Sequence, residues 1–222
     1  MRQKLVAEFL GTFMLLFGGV GAIVLTATGT LDAGLLGIAL GHGMSVMFMA
    51  YSVGNISGAH FNPAVSFAFL LLRRLPAKEF IGYTLAQLAG ASSAMALLYF
   101  LLPEAARKVN YGTPGFFAGL DWSRALTVEI ICTLILTFVI VRVGTHQANP
   151  GAPLIVGLTI ATLIFAAGPL TGLMLNPARA FGPTLFSGEW KDHWVFWVGP
   201  LIGAALGAFT AEFLKDRNHA HA

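Results

Sequence analysis

Only 10% of the 222 residues carry a charge, while 56% are hydrophobic and mean hydropathy is +0.76. That balance excludes an ordinary water-soluble domain. Lysine and arginine outnumber the acids, 13 to 10, yet the cations fall in twos and threes between apolar stretches. They form no basic patch, so no nucleic-acid partner is expected. Cysteine occurs once, at Cys132, which excludes an internal disulfide. No Ser/His/Asp set and no multi-histidine spacing falls on adjacent helical turns, so neither an enzyme, a metal site nor a cofactor is expected. Methionines such as Met44, Met47 and Met49 read as packing or wall residues rather than metal ligands, and His219 and His221 as features of the tail.

What is present is a series of long apolar runs separated by short polar joints. Leu5 to Leu25 is the first; it carries Glu8 and has no small-residue cleavage site, which marks a retained span rather than a signal peptide. Leu35 to Val53, Phe80 to Leu102, Leu126 to Val143, Leu154 to Ala167 and Trp194 to Leu214 follow. The fifth must take in Gly151-Ala152 and Gly168-Pro169 to reach the roughly 20 residues that a bilayer crossing needs. Trp122, Trp190, Trp194 and Trp197 stand at or near span ends, where an amphipathic ring suits the membrane interface. A polar segment bearing Gly and Pro, 104–123, divides the chain into a first repeat of about 1–103 and a second of about 124–217 within one transmembrane domain, 1–222.

Two short motifs interrupt the spans. Asn62-Pro63-Ala64 and Asn176-Pro177-Ala178 share a frame in which Ser57-Gly58 precedes the first and Thr171-Gly172 the second. Asparagine caps helix N-termini and proline suits the first helical position, so each box starts a helix. Each of these helices is too short to cross a bilayer, ending by Arg73-Arg74 and by Ser187-Gly188. Outside the boxes, residues 7–12 resemble 128–133 and residues 86–91 resemble 199–204. Three full spans per half is an odd number, so the second half enters the membrane inverted. The fold expected is therefore an all-α membrane protein with six transmembrane helices and two re-entrant half-helices in inverted three-helix repeats. Cytoplasmic termini put Arg2, Lys4, Arg73, Arg74, Lys78, Arg142, Lys215 and Arg217 inside, against Arg107, Lys108, Arg124 and Lys191 outside, which is the orientation the positive-inside rule favours. The half-helices then enter from opposite faces and their N-termini meet near the middle.

Irregular backbone at membrane depth is tolerated only when buried in protein or lining a wet cavity. The carbonyls of Gly58, Ala59, His60, Gly172, Leu173 and Met174 are thus candidate pore acceptors. The carboxamides of Asn62 and Asn176 are candidate donors to a water oxygen. Glu8 and Glu129, placed alike in the two halves, read either as a proton relay or as braces accepting from unpaired N–H groups of the loops; their duplication favours braces. A proton- or ion-coupled carrier would need a charged pair at the midplane, and the boxes offer amides and helix dipoles instead.

The paired boxes, the run Ser57-Gly58-Ala59-His60-Phe61-Asn62-Pro63-Ala64-Val65, the terminal Arg179 and Phe196-Trp197-Val198-Gly199-Pro200 resemble the aquaporins of the major intrinsic protein family over essentially the whole chain, in the water-channel branch of prokaryotic or archaeal type. By alignment with that family, an outer constriction falls on His42, Ile164, Leu173 and Arg179. His42 with Ile164 resembles the filter of plant vacuolar members, whereas Leu173 is similar to the apolar filter residue of glycerol facilitators. Ala180 and Thr184 depart from the glycerol branch, and 104–123 lacks its long insertion. The resemblance implies passive flow of water through a cell membrane, by a homotetramer with one pore per subunit. Leakage of small neutral solutes such as ammonia, peroxide or glycerol stays open, and a glycerol facilitator is the alternative. Because Cys132 is far in sequence from the second box, weak inhibition by mercurials is expected.

Overall fold

The computed structural model describes residues 1–117, 119–144 and 149–215; Arg217, His219 and His221 lie outside the described residues. Six helices are long and apolar enough to cross a membrane by length and composition. They are α1 (Arg2–Ala27), α2 (Gly34–Ser57), α4 (Ala77–Leu101), α6 (Trp122–Gly144), α7 (Ala152–Thr171) and α9 (Val195–Phe213). Two short helices sit between long ones: α3 (Pro63–Leu71) of nine residues and α8 (Pro177–Ser187) of eleven. At 1.5 Å per residue they reach only about 14 and 17 Å, roughly half a bilayer core. No strand occurs among the described residues.

Local chemistry fixes where the short helices begin. The Asn62 side chain accepts from the Ala64 N–H at 2.8 Å, and Asn176 accepts from the N–H groups of Ala178 at 2.9 Å and Arg179 at 3.3 Å. Pro63 and Pro177 follow at the first helical position, where a missing N–H costs nothing. The helices that precede the boxes, α2 and α7, both stop at a left-handed glycine, Gly58 at φ +89° and Gly172 at φ +78°. Extension of α7 through Gly168-Pro169 gives it the 20 residues expected of a span.

Packing repeats in the two halves. Helix α1 lies against α2 and α4, and α6 lies against α7 and α9, while α2 against α7 joins the halves. Each short helix also leans on the opposite half, α3 on α9 and α8 on α4. Gly90 of α4 faces the Phe9 carbonyl of α1 and Gly203 of α9 faces the Ile130 carbonyl of α6, so close that any β-carbon would strike the facing backbone. Equivalent glycines thus set equivalent crossings.

The connector differs from a plain polar joint. The third span ends at Leu101, just before Pro103, and the same proline opens a further short helix, α5 (Pro103–Lys108), since proline suits the first helical position. A 3₁₀ turn, Asn110–Gly112, follows. Trp122 at the start of α6 and Trp194 before α9 bring their rings to 5.9 Å on the same face of the bundle.

Candidate functional site

The two loops before the boxes carry left-handed residues that are not glycine: Ala59 and Phe61 at φ +54° and +50°, and Leu173 and Leu175 at +37° and +58°. Such residues are uncommon and persist only where the surroundings over-determine them. Two carboxylates supply that constraint. Glu8 of α1 accepts from the Ser57 hydroxyl at 2.6 Å, from the N–H groups of His60 at 3.0 Å and Phe61 at 2.6 Å, and from the Gln87 amide at 2.7 Å. Glu129 of α6 accepts from the Thr171 hydroxyl at 2.8 Å and from the N–H groups of Met174 at 3.0 Å and Leu175 at 2.9 Å. Both carboxylates are fully buried, where every unpaired loop N–H would otherwise face protein or lipid.

The boxes meet tip to tip. Asn62 donates one amide N–H to the Leu175 carbonyl at 2.8 Å, and Asn176 donates one to the Phe61 carbonyl at 2.9 Å. A carboxamide has two N–H groups, so one remains on each asparagine. Both asparagines line a cavity of about 40 Å³ together with Ala59, His60, Phe61, Leu173, Met174 and Leu175. A water needs roughly 10–15 Å³ of such space, so the cavity has room for about three water-sized molecules. A wider cavity of about 280 Å³ shares Val46, Ala59, His60, Val65, Ile140 and Val156 with it and is lined beyond them by residues that include Gly58, Val143, Gly144, Ala152 and Pro153.

Several of the box residues do not face that space. Ala64 and Ala178 are packed into apolar clusters, and Gly172 lines neither cavity. Gly172 is the C-cap of α7, with its N–H on the Gly168 carbonyl. His60 has two contacts at once: it lines both cavities, and its Nδ1 lies 3.1 Å from the Ser66 hydroxyl, which also accepts from Gln87.

His42, Ile164, Leu173 and Arg179 all line the small cavity. Arg179, only 3% exposed, sits one turn into α8 and donates Nε–H toward His42 Nε2 at 3.4 Å and Nη1–H to the Gly112 carbonyl at 3.0 Å. His42 Nδ1 lies 2.9 Å from the Ile38 carbonyl. A carbonyl only accepts, so the proton resides on Nδ1 and Nε2 is the acceptor that faces arginine. A β-carbon at Gly19 would run into the His42 ring, so α1 leaves the imidazole its room by having no side chain there. Ile164 and Leu173, members of one apolar cluster, add apolar surface to the same lining.

Sequence reasoning missed the carbonyls of Phe61, Leu175 and Gly112. Phe61 and Leu175 each stand immediately before a box asparagine, a repeated position whose apolar side chain hid a backbone role; nothing in the local sequence marks Gly112. Tyr83 was also missed; its hydroxyl donates to the Ser57 carbonyl at 2.7 Å and closes the first loop. Among the described residues no group of three or more His, Cys, Asp or Glu side chains is placed to hold a metal ion.

A sequence model described as "Major intrinsic protein" matches residues 1–211. Aquaporin Z of Brucella melitensis biotype 1 is 39% identical over 231 residues, covering 98% of this chain and 100% of that protein. Aquaporin NIP1-1 of Zea mays is 40% identical over 218 residues, covering 97% of this chain and 76% of that protein. Among solved structures, the aquaglyceroporin from Plasmodium falciparum superposes with a TM-score of 0.83 at 28% identity, covering 96% of this chain and 94% of that one. The matching boxes, the six spans and these relatives agree: the chain belongs to the major intrinsic protein family of membrane channels.

Proposed function

We propose that the protein is a passive water channel that rejects ions and protons, with the small cavity as its narrowest passage. The observation that carries this reading is the pair of cross-tied asparagines, each left with one free N–H at the wall of a space only a few waters large. A water whose oxygen accepts from both amides has its lone pairs occupied and its hydrogens turned to its two neighbours. It cannot accept a proton from one neighbour while passing another on. Two helix N-termini, each equivalent to roughly +0.5 of an elementary charge, meet at the same point and oppose cations. Pore width, lining hydrogen-bonders and an arginine or half-helix dipoles are the general account of aquaporin selectivity, to which this arrangement conforms.

His42, Ile164, Leu173 and Arg179 act as the selectivity filter in this reading. Two of the five guanidinium N–H groups of Arg179 are engaged by His42 and Gly112, which leaves three for solutes. The carbonyls of Ala59, His60, Leu173 and Met174 supply acceptors along the file, and Glu8 and Glu129 brace the two loops. The cation distribution supports cytoplasmic termini, and the family resemblance supports a homotetramer in a cell membrane with two inverted repeats in each subunit.

A second reading, a facilitator of small neutral solutes such as glycerol, draws on a lining that combines apolar Ile164 and Leu173 with polar His42 and Arg179, which suits a molecule with one polar edge. Stopped-flow light scattering on proteoliposomes separates the two. Rapid osmotic shrinkage with little glycerol entry is the expected result; glycerol flux comparable to water flux overturns the water-selective version. Dependence of the flux on an ion gradient or on membrane potential would replace the channel by a carrier.

A further inference from the structure

We infer that the connector sets the filter: Asn110 and Tyr111, clasped to the far end of α8, position the Arg179 guanidinium through the Gly112 carbonyl and thereby set which solutes pass. The inference rests on reading Arg179 as a filter residue.

The backbone of the 3₁₀ turn is the first sign. Asn110, Tyr111 and Gly112 are consecutive left-handed residues, at φ +48°, +58° and +69°. Two of the three carry side chains, and a run of left-handed residues is not a conformation the chain adopts unaided. Something must hold it. Besides packing on α1 and α4, three contacts tie it to the segment that ends α8. The Tyr111 ring packs on Phe186 at 6.2 Å, and both pack on Tyr99 of α4, at 6.0 and 6.3 Å. Asn110 donates its amide N–H to Glu189 at 2.8 Å. The Thr113 hydroxyl donates to the Ser187 hydroxyl at 2.9 Å. Arg107 closes the cluster from above, donating to the Tyr99 hydroxyl at 2.6 Å.

The clasp therefore grips α8 by its C-terminal end while the Gly112 carbonyl grips a side chain from its N-terminal turn. On the other side of the turn, Val20 and Ile23 of α1 stand where a Gly112 side chain would go, so the carbonyl has little freedom to retreat. Of the two bonds that locate the guanidinium, the one to Gly112 is the shorter, 3.0 Å against 3.4 Å to His42. A flexible arginine side chain anchored mainly by a loop carbonyl is only as well placed as that loop. Asn110 and Tyr111 touch neither the file of waters nor the filter, so they are positioning residues.

The test compares purified parent, Tyr111→Ala, Asn110→Ala and Tyr111→Phe in proteoliposomes, reading the ratio of glycerol to water permeability, with Arg179→Val as the control for the filter itself. The ratio is independent of how much protein is reconstituted, so a merely structural role does not move it. Tyr111→Ala is expected to raise the ratio by about tenfold, the scale of one charge-assisted hydrogen bond. Asn110→Ala, which removes a surface bond and no core packing, moves it in the same direction by less. Tyr111→Phe keeps the ring and returns the parent ratio. If Tyr111→Ala does not fold, Asn110→Ala decides alone. A ratio that falls or changes by less than about twofold in Asn110→Ala and in any folded Tyr111→Ala, while Arg179→Val raises it, overturns the inference. An unchanged ratio in Arg179→Val overturns the filter reading instead.

Discussion

Replacing Glu129 by glutamine tests the brace with the smallest change of shape. One carboxylate oxygen accepts from Thr171 and Met174, the other from Leu175. Glutamine keeps one acceptor and turns the other into an NH₂ group. In the better of its two orientations the amide oxygen stays with Thr171 and Met174, and NH₂ opposes the Leu175 N–H. A buried N–H without an acceptor costs about 1–3 kcal/mol. Leu175 also sits at φ +58°, and loosening its holder releases a conformation that is strained by about 1–3 kcal/mol. We expect destabilisation of about 2–4 kcal/mol, a large share of a typical total of about 5–15. For a chain of this size that lowers Tm by roughly 4–16 °C. Because the Leu175 carbonyl accepts from Asn62, the lining of the small cavity is disturbed as well, and on the water-channel reading permeability per folded protein should fall severalfold. Tryptophan fluorescence during heating in detergent reads the first effect and stopped-flow scattering the second. Glu8→Gln should be worse, since each of its carboxylate oxygens serves two donors and either orientation orphans a pair. Unchanged Tm and permeability in Glu129→Gln, or the reverse order of the two variants, would refute the bracing argument.

Two further outcomes follow from groups away from the box loops. Cys132 is 9% exposed and packs beside Leu136 and Ile164 without lining the cavity, so mercuric chloride should leave most of the water flux intact; near-complete block of the parent protein would contradict that placement. His193, in the joint between α8 and α9, accepts from the Trp197 indole N–H at 3.0 Å, lies 3.2 Å from the Thr184 hydroxyl and meets the Trp190 ring edge-on. Burial holds its imidazole below its usual range. The unfolded chain therefore takes up the proton first, and the stability due to this group is complete above the unfolded value of about 6.5 and is lost as pH falls through the lower folded value. Thermal unfolding should show a larger drop in Tm between pH 7.5 and pH 5 for the parent than for His193→Gln, and equal drops would remove His193 from the account.

The features legible in the sequence were those written in local chemistry. An Asn-Pro pair fixes a helix start whatever surrounds it, and Asn62-Pro63 and Asn176-Pro177 needed no tertiary information; the preceding helix ends were less plain, since the second span, read as ending at Val53, runs on to Ser57 before left-handed Gly58 stops it. Glu8 and Glu129 were legible as a pair because each stands alone in an apolar span and the spans repeat. What stayed hidden was carried by backbone groups across long sequence separations. No side-chain pattern announces that the Phe61 carbonyl receives Asn176, or that Gly112, inside a segment read as a polar joint, reaches Arg179. The helix that Pro103 opens stayed hidden for a related reason: the proline marks the end of α4, but only the path of the chain decides whether another helix starts there.

The hidden bonds also explain why the box occurs twice. Phe61 is held at its N–H by Glu8 of its own half and at its carbonyl by Asn176 of the other; Leu175 is held at its N–H by Glu129 and at its carbonyl by Asn62. Neither half can satisfy both polar groups of its own loop. With one half alone, an asparagine amide and a loop carbonyl would lie unpaired in an apolar interior, each at about 1–3 kcal/mol, beside a left-handed residue with one restraint missing. The two loops therefore stabilise each other's strained backbone, and moving either box moves a carbonyl that orients the other's asparagine. A symmetric pair of donors at the centre of the file is thus a consequence of how the loops are held, not an independent addition to them.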